Sequence, residues 1–211
     1  SFADNLTSMA EVKIATPMSW VWQGTKCFGA ENRSVGVVVI DSKTFPNVTN
    51  YDFVSSTPEQ VYSELGSNNE SLMLPKSLAD SLGVGVGQEI SVFAMSPNQR
   101  MNFTVVGVFT SGVLQFISIG RPLSESIFIS FNTQKTHFYG ENTAILFLVN
   151  VESQYKHDSG QVLQNIETLY PEYGFEKNSL ILDDILSNVR SQINRSFIVF
   201  FLILYFTVLI T

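Results

Sequence analysis

The hydrophobic end of this chain constrains its fold more than any other stretch. Residues 196–211 read SFIVFFLILYFTVLIT and contain no charge, no glycine and no proline. Just upstream, Ile185, Val189 and Ile193 recur every four residues, which places them on one face of a helix. A helix that is first amphipathic and then apolar all round is typical of a chain that leaves a folded domain and enters lipid. We therefore predict a stalk helix over 182–211 that runs into the start of a transmembrane helix.

The length of the apolar run leaves one alternative open. Residues 197–210 would form about 21 Å of helix, whereas the hydrocarbon core of a bilayer is about 30 Å thick and takes about 20 helical residues to span. A buried core helix could have this length. The run has no polar face, however, so a small domain would have to surround it completely. This favours the membrane interpretation.

Composition excludes some classes of function. Charged residues make up 15% of the 211 residues, against about a quarter in most soluble proteins. The net charge is −7 and the chain contains no basic run, so the electrostatic signature of a nucleic-acid binder is absent. The lone Cys27 excludes an intrachain disulfide framework.

Glycosylation sequons are about twice as frequent as the composition predicts. They favour a domain that faces outward in an organism that glycosylates, although a chain rich in Asn and Ser would also produce some by chance. Mass spectrometry of the native protein tests this point. The candidate acceptors are Asn5, Asn32, Asn47, Asn69 and Asn102; a sixth, Asn194, adjoins the hydrophobic run and is a poor acceptor.

The outer parts of the chain show both strand and helix patterns. Alternation predicts a strand over 9–14 with Val12 and Ile14 on one face, and a near-continuous apolar run predicts a strand over 35–40 buried on both faces. Thr57, Pro58 and Gln60 form a capping box that begins a helix, which Gly66 should end. Near the end, a strand over 144–151 is followed by a helix over 160–170 and a further extended segment. In that helix Val162, Leu163, Ile166 and Leu169 should face inward.

The middle of the chain predicts a compact β unit. A strand over 71–75 precedes a short helix over 76–82, which Gly83 should end in a left-handed conformation. Strands over 89–94, 103–109 and 126–131 follow. Because both faces of 103–109 are mostly apolar, a closed or sandwiched sheet fits better than an open one.

The segment 110–125 is unusually apolar for a loop. It carries Leu114, Phe116 and Ile117. The segment could be a lid over the domain's own core, or it could be a contact surface for a partner subunit or lipid. Polar replacement of Leu114 and Phe116 that left the fold and the activity unchanged would exclude the contact surface.

No pattern of residues indicates catalysis. His137 and His157 stand alone, so each is interpreted as a surface histidine and neither as a metal ligand. The acidic pair at 183–184 lies at a helix start, where it would favour the helix dipole. The GxG at 85–87 lacks the third glycine and the preceding strand of a dinucleotide site. We predict a non-catalytic domain without a cofactor or a metal.

The middle segment resembles a known family. The sequence LPKSLADSLGVGVGQEISV at 74–92, then FTVVGVF at 103–109 and SIFIS at 126–130, is similar to the extracytoplasmic domain of ABC-transporter permeases of the MacB/FtsX/LolC type. In that family such a domain begins after the first transmembrane helix and ends in a stalk that leads to the second. The specific motif covers about 71–131, while the likeness in layout covers the whole chain.

The resemblance implies an α+β fold. A mixed α/β porter-like subdomain would comprise 1–68 and 135–190, and a small β-rich subdomain, 69–134, would be inserted into it, with the stalk and the start of the transmembrane helix over 182–211. It also implies a location at the cell membrane, on the extracytoplasmic side. The implied partners of the full-length protein are an ABC ATPase subunit and a second permease copy.

The function that the resemblance implies is mechanical. ATP hydrolysis in a separate cytoplasmic subunit would move the membrane helices, and the stalk would pass this motion to the outer domain for substrate export or for signalling to an outside partner. Ile185, Val189 and Ile193 would be the packing positions that transmit it. The alternative is a single-span cell-surface domain, adhesive or sensory, without an ATPase.

Overall fold

In a computed structural model of the chain, the described residues are 2–94, 99–112, 118–119, 121–138 and 144–171. Their strands are β1 (Val12–Phe28), β2 (Asn32–Ile40), β3 (Tyr51–Val54), β4 (Ser71–Pro75), β5 (Glu89–Ala94), β6 (Gln99–Gly112), β7 (Ser118–Ile119), β8 (Arg121–Pro122), β9 (Ser126–Ser130) and β10 (Leu146–Val151). Their α-helices are α1 (Phe2–Thr7), α2 (Pro58–Ser67), α3 (Lys76–Leu82), α4 (Phe131–His137) and α5 (Ser159–Leu169). Short 3-10 helices cover Phe45–Asn47, Leu123–Glu125 and Ser153–Asp158.

Six strands close into a ring in the order β1-β2-β9-β4-β6-β5. The closure depends on β5, which pairs with β6 along its whole length and with β1 at Lys26, Cys27 and Phe28. Strand β3 adds to the ring on β6, and β10 adds to it on β1. The β2–β9 and β4–β6 pairs are parallel and the other pairs are antiparallel. Closure leaves fewer free strand edges. The sheet is closed, but the predicted unit at 69–134 does not close by itself, because the ring also needs β1 and β2.

The interior of the ring is one apolar core to which all six strands contribute. Alternate residues point inward because side chains in a strand have a period of two. Helix α3 packs against this core through Leu78 and Leu82, and Phe138, just after α4, reaches it as well. The inward residues of the strands that are at most 2% exposed are Cys27, Val35, Val37, Val39, Leu72, Leu74, Ile90, Val92, Phe103, Val105, Ile127 and Ile129.

A second core covers the outer surface of part of the same sheet. Val38, Met73 and Phe128, which alternate with inward residues, pack under α2 and under the 3-10 helix at Phe45–Asn47. The Phe128 ring lies edge-on to Phe109, with 5.4 Å between ring centroids. Since β2, β4 and β9 are buried on both faces, their sequences read as continuous apolar runs.

Several local predictions are confirmed. Thr57 caps α2 in a capping box with Gln60. Helix α3 spans the predicted residues, and Gly83 follows it in the left-handed conformation with a φ of 68°. Strands β4 and β5 have the predicted bounds, and the predicted strand at 35–40 forms most of β2. Each of these elements is specified by its own residues.

Other local predictions are wrong in part. Residues 9–11 form a turn, and β1 starts only at Val12. The register with β10 shifts between Val12 and Ile14, so Ala15 and not Ile14 takes the buried position. Helix α2 continues through Gly66 to Ser67. Leu169 is 59% exposed because it is the last residue of α5, beyond the buried turn that holds Ile166.

The mixed α+β class is confirmed. Residues 1–152 form one compact unit and residues 153–211 a second, whose described part contains the 3-10 helix Ser153–Asp158 and α5. The ring takes β1 and β2 from the predicted porter-like range and β4, β5, β6 and β9 from the predicted insert. The division of the chain into 1–68 plus 135–190 and 69–134 stays a prediction. In the part of the chain that the structure describes, no helix is long and apolar enough to cross a membrane, and the predicted helix over 182–211 lies outside that part.

Candidate functional site

The first and last strands of the larger unit are neighbours. Strand β1 pairs antiparallel with β10, from Val12 opposite Val151 to Met18 opposite Leu146. Beyond the pair, the amide of Glu152 donates to the carbonyl of Glu11 at 2.9 Å. The chain therefore enters this unit and leaves it on two hydrogen-bonded strands, which we call the entry–exit ribbon (Val12–Met18 with Leu146–Val151).

Helix α1 is fastened to the same ribbon. The Phe2 ring lies edge-on to Phe147 of β10, with 5.0 Å between centroids. The Thr7 hydroxyl oxygen accepts a hydrogen bond from the amide of Ala15 at 3.1 Å, and Leu6 is buried. Sequence pattern alone did not indicate α1, because six residues are too few for a helical period to show. A force applied before β1 or after β10 would therefore act on one connected element.

The residues predicted to transmit motion or to contact a partner lie outside the described residues. This holds for Ile185, Val189 and Ile193 of the stalk and for Leu114, Phe116 and Ile117 of the apolar segment. Their roles stay predictions. The described parts of the segment 110–125 are not the loop that was predicted: β6 extends to Gly112, β7 pairs with β8, and a 3-10 helix covers Leu123–Glu125.

The five candidate sequons lie on the surface. The side chains of Asn5, Asn32, Asn47, Asn69 and Asn102 are all exposed. Exposure is compatible with glycosylation but does not test it, so the modification also stays a prediction.

His137 is not the surface histidine that its isolation in the sequence predicted. It is 9% exposed, and its ring lies edge-on to Phe103 with 5.6 Å between centroids. Its Nε2 has no hydrogen-bond partner among the described residues. The cause is the short α4, which follows β9 and places its last residue, His137, against Phe103 of β6. His157 is exposed, as predicted.

Burial lowers the pKa of His137, and the carboxylate of Glu70 offsets this only in part. A histidine whose folded-state pKa is lowered stabilises the fold fully above its unfolded pKa of about 6.5, and this stabilisation is lost as the pH falls toward the lowered value. In the unsubstituted chain, the free energy of unfolding should therefore fall as the pH drops below about 6.5. We expect His137→Phe to remove this fall. Urea unfolding at a series of pH values measures this, and His157→Phe is the matched control, which should keep the fall. An unchanged pH profile in His137→Phe would contradict the assignment.

The other buried titratable groups are poor candidates for chemistry. Burial raises the pKa of the Cys27 thiol to about 12 and that of the Tyr62 phenol to about 12. Both groups therefore stay protonated at neutral pH, and a protonated thiol is a weak nucleophile. Within the described ranges, no group of three His, Cys, Asp or Glu side chains could hold a metal ion.

The GxG segment is used for internal hydrogen bonds. The Gly87 amide donates to the Val105 carbonyl at 2.8 Å, and the Gly85 amide donates to the Gln88 Oε1 at 2.8 Å. A phosphate-binding loop needs such amides free to point at the ligand. The turn thus connects α3 to the sheet, which agrees with the sequence argument against a dinucleotide site.

The sequence profile of the MacB-like periplasmic core domain matches residues 2–169. The chain belongs to this family. The MacB-like domain is the extracytoplasmic part of an ABC-transporter permease family, so the resemblance seen in the motif at 74–130 is confirmed. Periplasmic domains of this family are generally non-catalytic.

One solved structure agrees on the fold. The periplasmic region of MacB from Actinobacillus actinomycetemcomitans matches with a TM-score of 0.50 and 14% identity, over 80% of this chain and 72% of that one. A domain of a putative permease from Porphyromonas gingivalis matches with a TM-score of 0.48 and 12% identity, over 82% of this chain and 73% of that one. No curated protein sequence matches this MacB-like chain. At these identities, the first likeness shows the fold alone.

Proposed function

We propose that this MacB-like domain passes ATP-driven motion of membrane helices to its outer surface. In this proposal a cytoplasmic ABC ATPase and a second permease copy act with the full-length protein at the cell membrane. The domain itself binds no nucleotide and carries out no chemistry. Its outer surface acts in substrate export or on a partner outside the membrane.

The entry–exit ribbon is the observation that carries this proposal. Since β1 and β10 are hydrogen-bonded along the ribbon, membrane helices before and after the domain would act on adjacent strands. β1 continues from the ribbon into the closed ring, where it pairs with β2 and then with β5. A close-packed interior transmits displacement with little compression. A tilt of the ribbon would therefore move the ring as one body.

The predicted stalk supplies the other half of the path. Ile185, Val189 and Ile193 would pack along one face of the helix and keep it rigid between the membrane and the domain. A proline inside such a helix removes a hydrogen bond, clashes with the preceding turn and introduces a kink.

Val189→Pro should uncouple transport from ATP hydrolysis in the full-length permease with its ATPase. We expect basal ATP hydrolysis to persist while transport or partner-dependent stimulation of the ATPase falls. Both are measured in proteoliposomes. The matched control is Val189→Ala, which keeps the helix and should retain most of the coupling. Full coupling in Val189→Pro would refute the rigid stalk.

A further inference from the structure

One outward face of the ring combines aromatic rings with cations. On β1, Thr25 and Cys27 point inward and are buried, so Lys26 and Phe28 point outward. On β5, Val92 points inward, so Phe93 points outward. On β6, Phe103 points inward, so Arg100 points outward. We call the four outward residues Lys26, Phe28, Phe93 and Arg100 the cation–aromatic patch.

Strand register sets the geometry of the patch. Lys26 lies opposite Phe93 on β5, and Phe93 lies opposite Arg100 on β6, so the three residues form one row across three strands. Phe28 lies in the next row, and the Arg100 guanidinium carbon stands 3.7 Å from the centroid of its ring. This cation–π contact holds the guanidinium over the sheet. Both rings are half-buried, and both cations are exposed.

The rings of the patch are partly exposed, and its cations form no ion pair with the described residues. Neither phenylalanine belongs to the two cores and both are only half-buried, so part of each ring faces solvent. Ion pairs join Arg33 to Glu31 and Lys76 to Asp80, and in the described part of the chain none is seen at Lys26 or Arg100. A carboxylate on the same face of β5, that of Glu89, accepts a hydrogen bond from Asn102 at 3.3 Å. Among the described residues the two cations thus have no ion-pair partner, in a chain whose net charge is −7.

We propose that the cation–aromatic patch binds an acidic segment of a partner protein outside the membrane. A carboxylate would bridge Lys26 and Arg100 in charge-assisted hydrogen bonds, and an adjacent apolar side chain would cover Phe93. Arginine and aromatic residues are the side chains that most often dominate binding energy at protein interfaces. The proposal deepens the proposed function, because it names the kind of partner on which the moving surface would act.

Position favours a protein over a lipid surface as the occupant. Lys26 lies at the far end of β1 from Val12, after about 45 Å of strand at roughly 3.3 Å per residue. The ribbon at the Val12 end is where the proposed function places the membrane. An anionic lipid headgroup would meet the same two cations, so lipid binding is a separate outcome of the test.

The test uses the 211-residue chain in nanodiscs of zwitterionic lipid. The probes are a peptide that alternates Asp and Glu with Phe and Leu, the same peptide with Asn and Gln in place of the acids, and vesicles of phosphatidylglycerol. We expect the acidic peptide to bind, with an affinity that falls as salt rises. Lys26→Glu with Arg100→Glu should weaken this binding by at least about tenfold. The matched control is Lys43→Glu, which reverses an exposed charge on another surface and should leave binding unchanged.

Three results would overturn the proposal. They are equal binding of the amide peptide, equal loss in the Lys43→Glu control, and binding of the vesicles but not of the acidic peptide. Circular dichroism of the double variant shows that a loss of binding is not a loss of fold. None of these measurements involves ATP. A failure here is therefore distinct from a failure of the coupling experiment. The Val189→Pro substitution used there does not alter the patch.

Discussion

Cys27 should react with iodoacetamide more than about a thousandfold more slowly in the folded chain than an exposed thiol does at pH 8. It is fully buried inside the ring, and burial raises its pKa to about 12. This shift makes the reactive thiolate about a thousandfold rarer in the fold, and burial also restricts the access of the reagent. Cys27 is the lone cysteine of the chain, so mass spectrometry of the alkylated chain over time measures the rate directly.

The neighbouring residue provides the control for this prediction. Lys26→Cys in a Cys27→Ala background moves the thiol by one residue to the outer face of β1, where it should react at the rate of a model peptide. Addition of urea should bring the two rates together as the ring opens. If Cys27 and the Lys26→Cys variant reacted within about tenfold of each other without urea, β5 would not close the ring.

The elements that sequence pattern predicted are those whose signals are local. The capping box at Thr57, the helix between Pro75 and Gly83 and the apolar strand at 35–40 each need only adjacent residues. The helix between Pro75 and Gly83 also lies within the motif that resembles the MacB-like family. Local chemistry was therefore sufficient for these elements.

The contacts that close the fold could not be predicted in this way. Strand β1 pairs with β2, which follows it directly, but it also pairs with β5 and β10, which come from distant parts of the chain. An apolar alternation shows which face is buried, but it does not show which strand lies alongside. His137 illustrates the same limit, because its burial depends on Phe103 in β6.

The candidate functional surfaces also divide into those that depend on strand pairing and those that a local pattern predicts. Lys26, Phe93 and Arg100 are unremarkable in the sequence, and only the β1–β5 and β5–β6 registers place them in one row. The entry–exit ribbon likewise joins residues about 130 positions apart. The stalk positions Ile185, Val189 and Ile193 were found from a period of four alone, and they lie outside the described residues.

Gly29→Ala should destabilise the larger unit by about 2–3 kcal/mol. Gly29 follows β1 in the turn that packs on the end of α3, and a Cβ there would collide with the carbonyl oxygen of Leu82 and lie 3.0 Å from its carbonyl carbon. These are backbone atoms, so no rotamer change can relieve the contact. The same carbonyl accepts a hydrogen bond from the Ala30 amide at 2.7 Å. Separation of the turn from α3 would lose this bond, which contributes about 1 kcal/mol.

Urea unfolding followed by tryptophan fluorescence measures this change in the free energy of unfolding, and faster alkylation of Cys27 reports the same opening independently. The matched control is Gly85→Ala, whose Cβ would meet only the Gln88 Oε1 at 3.8 Å and should change stability by less than about 0.5 kcal/mol. Since Leu78 and Leu82 of α3 belong to the interior core, the displaced helix would expose the end of the ring. Equal stability of Gly29→Ala and Gly85→Ala would mean that α3 does not seat on the β1–β2 turn. The core would then be closed by the strands alone.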